Sequence, residues 1–273
     1  MIVGHRGFVG KNLVKHLAKK HHVIEFSGDI ADADNVNFHV SKFKPDAVIN
    51  LAAYGNSPYH KDDPIKVFKV NLVGTANFIH LLDLGFEFKF IQAGTSSEYG
   101  VHQAPLGLRA RLKPSTDYAK TKACCSILLQ DRAVVLRLFT IYGPYEHEGR
   151  LIPTVINNAL NNKRTTVYEG AHDYVYIKDA CRAFEQALDT EPGIYHVATA
   201  KQYSNIEVAA KIKDIVHQEY GYEAKIKDVP GFLREYDSPI WVSDEESILP
   251  GWKPKTSLEK GLTKTVRWWG ERQ

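Results

Sequence analysis

Tyr118 and Lys122 stand four residues apart in the run Tyr118-Ala119-Lys120-Thr121-Lys122. In a helix that spacing is just over one turn, so both side chains leave the same face. A phenol beside a fixed ammonium exchanges protons near neutral pH more readily than a free tyrosine, whose pKa is about 10. Tyr118 is therefore a candidate general acid/base. Tyr and Lys also meet at this spacing by chance in surface helices, so the meaning of the pair rests on the elements around it.

The first of those elements is at the start of the chain. Met1-Ile2-Val3 is a short apolar strand, followed by Gly4-His5-Arg6-Gly7-Phe8-Val9-Gly10 and then a helical pattern from Lys11 to Leu17. Strand, glycine turn and helix make a phosphate-binding unit. Glycines let backbone N–H groups approach a pyrophosphate, and the helix N-terminus adds partial positive charge. The spacing is G-x-x-G-x-x-G rather than the commoner G-x-G-x-x-G. A dinucleotide is the expected ligand.

His22 to Phe26 reads as a second strand that runs out at Ser27. A carboxylate at this strand's end holds the adenosine ribose in NAD-binding folds. Here Glu25 comes two positions early, on the same side as Ser27 but deeper. Without a carboxylate to repel a 2′-phosphate, and with Arg6 to meet one, the pattern favours NADP(H) over NAD(H).

Further strands follow at Ala47–Ala53, Lys89–Ala93 and Ala133–Phe139, separated by helical patterns near 35–43 and 64–84 and by the capped helix after Pro114-Ser115-Thr116-Asp117. Thr140 to Pro144 reads as a turn. The hydroxyl cluster Thr95-Ser96-Ser97 lies at a strand's carboxyl end, which faces the ligand crevice of a parallel sheet. Alternating strands and helices give the expected fold class, α/β, a Rossmann-type doubly wound parallel sheet. Later segments are less regular: helices at 151–161, 179–188 and 204–216, strands at 165–168, 173–177 and 193–197, a loop-like stretch beyond Pro230, and a terminal helix from Ser257 carrying Trp268 and Trp269.

Composition narrows the classes. The chain has 273 residues, 44% hydrophobic and 25% charged, with a formal charge of +3, and its basic residues are scattered. That argues against nucleic acid as a partner. Three cysteines, Cys124, Cys125 and Cys181, do not make a disulfide framework, so a reducing cytoplasm is the simplest setting. Cys124 and Cys125 fall in an apolar helical run and are expected to be buried. No histidine set has metal-ligand spacing, so no metal is expected. Neither a signal peptide nor an apolar run of transmembrane length is read.

Taken in order, these motifs resemble the extended short-chain dehydrogenase/reductase family, in its NAD(P)-dependent nucleotide-sugar epimerase, dehydratase and reductase branch. The resemblance is carried by Gly4–Gly10, Leu51-Ala52-Ala53, Asn71–Asn77, Thr95–Gly100, Tyr118–Lys122, Leu136–Pro144, Asp173–Asp179 and Gly251–Pro254 leading into Ser257–Leu262. It implies that Thr95 bonds the oxygen at the reacting carbon, that Tyr118 passes the proton, and that Lys122 binds the nicotinamide ribose and eases the proton's movement. Gly4, Arg6, Gly7, Phe8, Val9, Gly10, Ser27, Asp29, Ile30, Leu51, Ala52 and Ala53 would hold the cofactor, with Asp29 at the adenine. Tyr54, Ser96, Ser97, Thr140, Arg150 and His172 would meet a nucleotide sugar.

Departures from the family pattern narrow the reaction. Dehydratases of the family carry an Asp-Glu pair after the catalytic Thr, where this chain has Ser96 and Ser97. Gly4-His5-Arg6-Gly7 is similar to the opening of the NADPH-using GDP-fucose synthases, but their epimerising Cys/His pair falls here on Ser97 and Arg150. What remains is NADPH-dependent reduction at C4 of a 4-keto-6-deoxy nucleotide sugar. An NAD-dependent 4-epimerase is the alternative, and a non-catalytic dinucleotide sensor a third. His172 stands where the family has an arginine for the diphosphate. The helix after Lys122 is part of a dimer interface in the family, so a homodimer is expected, although the stretch from Lys122 to Val134 is short. The expected division is a dinucleotide-binding domain over 1–144 and about 173–200, with a smaller C-terminal α/β substrate-binding lobe over 145–172 and 201–273.

Overall fold

The computed structural model of the protein describes residues 1–55, 63–233 and 237–272. In chain order the strands are β1 (Ile2–Val3), β2 (Ala47–Asn50), β3 (Lys89–Thr95), β4 (Val134–Leu138), β5 (Thr140–Tyr142), β6 (Arg164–Glu169), β7 (Ala171–Tyr176), β8 (Gly193–Val197), β9 (Gln202–Ser204) and β10 (Lys225–Phe232). The helices are α1 (Phe8–Leu17), α2 (Ala33–Phe43), α3 (Pro64–Phe68), α4 (Gly74–Asp83), α5 (Asp117–Leu129), α6 (Leu151–Leu160), α7 (Ile177–Gln186), α8 (Asn205–Tyr220) and α9 (Leu258–Gly270).

Five strands form a parallel sheet in the order β1-β2-β3-β4-β8. Its strands are apolar on both faces because helices cover both. On one face Leu13 of α1 and Phe184 of α7 share a core with Ile91 and Leu136. On the other, Val36 of α2 and Phe78 of α4 pack against Val48, Phe90 and Val135. After β1 the chain passes to an outer neighbour at Glu25, then returns across β1 to β2. That reversal is a topological switch point, and the crevice above it is the place for a ligand.

Several expectations change here. The strand expected over His22–Phe26 is a single bridge, Ile2 to Glu25. β1 is two residues long, so only Ile2 offers its N–H and C=O outward, to Ile24 and Phe26. Thr140–Tyr142 is a strand rather than a turn, since it pairs in parallel with Tyr174–Tyr176. The loop-like stretch expected beyond Pro230 starts after Phe232, since β10 lies beside β6 and runs two residues past Pro230, with a bulge between Val229 and Phe232. The helical pattern over 64–84 is broken by a π-turn, Lys69–Val73, between α3 and α4. Cys124 is exposed whereas Cys125 and Cys181 are buried. Neighbours on a helix point some 100° apart, and Cys124 falls on the outer side of α5.

Local signals set the helix that matters most. Thr116 caps α5 by accepting from the Ala119 N–H, and Asp117 adds negative charge to the first turn. Tyr118 and Lys122 follow within the first two turns, at the carboxyl end of the sheet where β3 finishes at Thr95.

Candidate functional site

The glycine loop is shaped for close contact with a ligand. Gly4 has φ +78°, and a Cβ there would lie 2.7 Å from the Ala52 nitrogen. A Cβ on Gly10 would collide with the Gly4 carbonyl. Only glycine lets loop, helix and the 51–53 segment approach this closely. α1 begins at Phe8 with Gly7 as its cap and no capping side chain. The first-turn N–H groups, those of Phe8 and Val9 among them, thus face the crevice end of the helix. Val3, Gly4, His5, Arg6, Phe26, Ser27, Gly28, Asp29, Ile30, Ala52 and Val70 enclose a pocket of about 210 Å³. Leu51 and Ala53 flank Ala52 without lining it. Asn77 donates to the Ile30 carbonyl at 2.8 Å, which fixes the pocket's floor.

Glu25 and Ser27 part company. The Ser27 hydroxyl lies 3.3 Å from His39 Nε2, on α2. The Glu25 carboxylate lies 3.3 Å from His5 Nε2, on the side of α1. There it joins Arg6, Lys11, Val14, Lys15 and Tyr145 around a second cleft of about 500 Å³. The carboxylate that the strand's end lacks is therefore present nearby, in the cleft that Arg6 also lines. The single bridge at Glu25 and the positive φ of Gly28, +103°, break the alternation that would have kept the two residues together.

Thr95 and Tyr118 meet. The Thr95 hydroxyl and the Arg150 guanidinium both act on the phenol to lower its pKa. Burial nevertheless dominates and pushes the phenol up to about 12. At neutral pH it carries its proton, the form needed to give one away. Lys122 is 2% exposed, and burial lowers its ammonium below the usual value, with Cys125 and Glu98 opposing the change. Thr95 itself is well held. Its N–H donates to Glu98 Oε1 at 2.9 Å and its hydroxyl accepts from the Ser97 N–H at 3.2 Å.

Around this centre lie the remaining candidates. The Ser96 hydroxyl accepts from Trp241 Nε1 at 2.9 Å, and the Trp241 ring is 6.2 Å from the His172 ring. Trp241 thus joins two expected substrate residues. Thr140 sits in register with Tyr174 at the head of β5, two residues past the strand end that Thr95 shares with Leu138. Tyr54 is clamped at both backbone groups by the Asn71 amide, at 2.8 and 2.9 Å, and Asn71 also donates to Thr121 in α5 at 3.0 Å. Arg150 is the residue before α6. Ser27 and Asp29 line the pocket beside the glycine loop, which Tyr118 does not line.

Three residues of the site had no role in the sequence reading. Asn71 was only a mark of the resemblance, yet it ties the 51–55 segment to the helix of Tyr118 and Lys122. Trp241 sits in a stretch with no periodicity, so nothing marked it. Glu146 is 8% exposed, and burial pushes its carboxyl up to about 8 against the pull of Arg150. A lone glutamate in a polar turn carries no signal that it will be buried.

No group of His, Cys, Asp and Glu suited to a metal ion occurs among the described residues. Likewise, no described helix is long and apolar enough to cross a membrane.

The model of the NAD-dependent epimerase/dehydratase family matches residues 1–198. Among individual proteins, dTDP-glucose 4,6-dehydratase 1 of Escherichia coli is 27% identical, with 98% of this chain and 92% of that protein covered. The solved UDP-glucose 4-epimerase of Thermotoga maritima with UDP-glucose superposes with a TM-score of 0.88 at 20% identity, covering 99% of this chain and 98% of that one. RMD from Pseudomonas aeruginosa complexed with NADPH superposes with a TM-score of 0.85 at 22% identity, covering 100% and 98%. At these identities the superpositions speak for the fold.

Proposed function

The chain is an enzyme of the NAD-dependent epimerase/dehydratase family, and on that premise we propose that it reduces C4 of a 4-keto-6-deoxy nucleotide sugar with NADPH. The observation that carries the reading is the triad Thr95, Tyr118 and Lys122 gathered at the sheet's carboxyl end without a dehydrating carboxylate pair beside it. Ser96 and Ser97 occupy those positions. The nearest carboxylate, Glu98, is fully buried and turned inward to Arg137 at 2.7 Å. The relative from Escherichia coli is named a dehydratase, but the acid/base pair for eliminating water is absent here.

The residues present fit a dinucleotide. Gly4 and Gly10 let the loop close tightly on Ala52 and on itself, where a Cβ would collide, and Gly4 lines the pocket from Val3 to Ile30. Gly4 to Gly10 would hold the pyrophosphate, Asp29 and Ile30 the adenosine, and Arg6 a 2′-phosphate. When bound, the reduced dinucleotide supplies the hydride that adds to the sugar's C4. Tyr118 gives its proton to the carbonyl oxygen as that oxygen becomes an alkoxide. Thr95, beside the phenol, would orient the same oxygen. The Lys122 ammonium, held one turn away, stabilises the phenolate left behind. Arg150 adds positive charge on the far side, where His172 and Trp241 would border the sugar nucleotide.

The second reading, a 4-epimerase, uses the same triad but retains its dinucleotide. The Glu25 carboxylate in the Arg6 cleft favours it, because a carboxylate there disfavours a 2′-phosphate. Incubation with NADPH and 4-keto-6-deoxy sugar nucleotides separates the readings. The proposal expects stoichiometric NADPH oxidation. Interconversion of UDP-sugars with no net loss of cofactor would support the epimerase instead. As proposals that rest on the same reading, the sugar nucleotide is taken up by the 145–172 and 201–273 segments and the protein acts as a homodimer in the cytoplasm.

A further inference from the structure

A buried polar chain runs away from Thr95 beneath the site. Glu98 accepts the Thr95 N–H on one carboxylate oxygen and Arg137 Nε on the other, at 2.9 and 2.7 Å. Arg137 Nη1 donates to the Tyr99 hydroxyl at 2.7 Å, and that hydroxyl lies 2.6 Å from His196 Nε2. His196 Nδ1 is 2.7 Å from Ser243 Oγ, which donates to the Asp244 carbonyl at 2.7 Å. Glu98, Tyr99 and His196 are 0% exposed, Ser243 2% and Arg137 3%.

The direction of every bond is fixed. Arg137 can only donate, so Tyr99 accepts from it and must donate its own hydrogen onward. Burial raises the Tyr99 phenol and lowers His196 to about 3, so the first keeps its proton and the second is neutral. A neutral imidazole that accepts at Nε2 carries its hydrogen on Nδ1. Ser243 then accepts that hydrogen and passes its own to Asp244. No member is free to turn without stranding a neighbour, and a stranded buried polar group is costly.

The far end of the chain is itself tied to the site. Leu106 N–H donates to Val242 and Asp244 N–H to Leu106, at 2.8 and 3.0 Å. Trp241 in the same segment holds Ser96. We propose that Arg137, Tyr99, His196 and Ser243 are positioning residues: their buried hydrogen-bond chain, which reaches the Thr95 backbone N–H through Glu98, fixes Thr95 relative to the 241–244 segment, so that Thr95 and the Trp241 side of the site move as one body. This rests on the proposed reduction for its kinetic consequence, but not for its structural one.

Tyr99→Phe keeps the ring and removes the link. It is expected to lower kcat about tenfold or more, since small misplacements of reacting groups are expensive, while KM for the sugar nucleotide stays within about twofold. A merely structural role would lower Tm and leave kcat, measured well below Tm, within about twofold of the native enzyme; that result overturns the proposal. Should Tyr99→Phe fail to fold, Ser243→Ala tests the same chain from its far end. A second arm needs no sugar nucleotide. Nitrogen-15 NMR should find His196 neutral with hydrogen on Nδ1 at pH 6, and Ser243→Ala should shift the Thr95 methyl resonance. A charged His196, hydrogen on Nε2, or an unmoved Thr95 methyl would sink the idea. If these NMR results hold while no keto sugar is reduced, the functional reading fails and the positioning chain stands.

Discussion

The Thr95 hydroxyl sits by the Tyr118 phenol across the ends of β3 and α5, where it pulls the phenol's pKa down against burial. Two elements that share no sequence neighbourhood thereby place a proton donor and a hydroxyl on one point. Tyr118→Phe should retain dinucleotide binding, read by fluorescence titration, and lose reduction by about 10²–10⁴-fold, the usual contribution of a general acid. Thr95→Val, which removes only the hydroxyl, should cost about 10–100-fold, toward the lower end for one donor. Loss of both activity and dinucleotide binding in Tyr118→Phe would point to a structural role.

The pH dependence follows from the phenol. Held at about 12, Tyr118 is protonated through neutral pH, and a reduction needs that form. The reductive rate should therefore not fall between pH 6 and 9 through loss of this proton. The reverse reaction needs the phenolate, so it should climb with pH over the same range. Arg150 lowers the phenol's pKa, so Arg150→Gln should move the pH profile of alcohol oxidation to higher pH. An unmoved profile would contradict this assignment of Arg150.

Arg6 and Glu25 line one cleft and carry opposite charge. Arg6→Ala should raise KM for NADPH by about tenfold and leave NADH nearly unchanged, the loss expected for one charge-assisted contact. Glu25→Gln should shift preference toward NADPH by removing a charge that repels a 2′-phosphate. Steady-state kinetics with both dinucleotides measures the two ratios, and unchanged ratios would remove this cleft from cofactor choice.

Glu146 couples stability to pH. Its carboxyl is raised from 4.5 to about 8 in the folded protein, so the native state binds the extra proton. The stabilising contribution is complete below about 4.5 and is lost as pH rises through about 8. An amide has no such proton to lose. The Tm of Glu146→Gln relative to the native protein should therefore rise from pH 5 to pH 8.5. A pH-independent difference would mean that Glu146 titrates normally.

The parallel sheet was legible because strands such as Ala47–Asn50 and Lys89–Thr95 alternate with capped helices, a local pattern. Tyr118, Lys122 and Thr95 could be paired in advance because each sits at a strand end or helix start. Contacts made by distant segments could not be read. Thr140–Tyr142 looks like a turn until Tyr174–Tyr176 lies beside it, and β10 has no alternation to reveal it. Trp241 and Glu146 owe their places to burial among residues far away in the chain. Glu25 was misjudged for the opposite reason: strand alternation was trusted where β1 is too short to enforce it.

The central claim is that hydride reaches the sugar's C4 while Tyr118 supplies the proton. NADPH carrying deuterium at the transferable position of nicotinamide C4 tests it directly, with NMR of the product sugar. The account predicts one deuterium at C4 of the sugar, one NADP⁺ per product, and neither with Tyr118→Phe. Product free of deuterium, or turnover that consumes no NADPH, would contradict it.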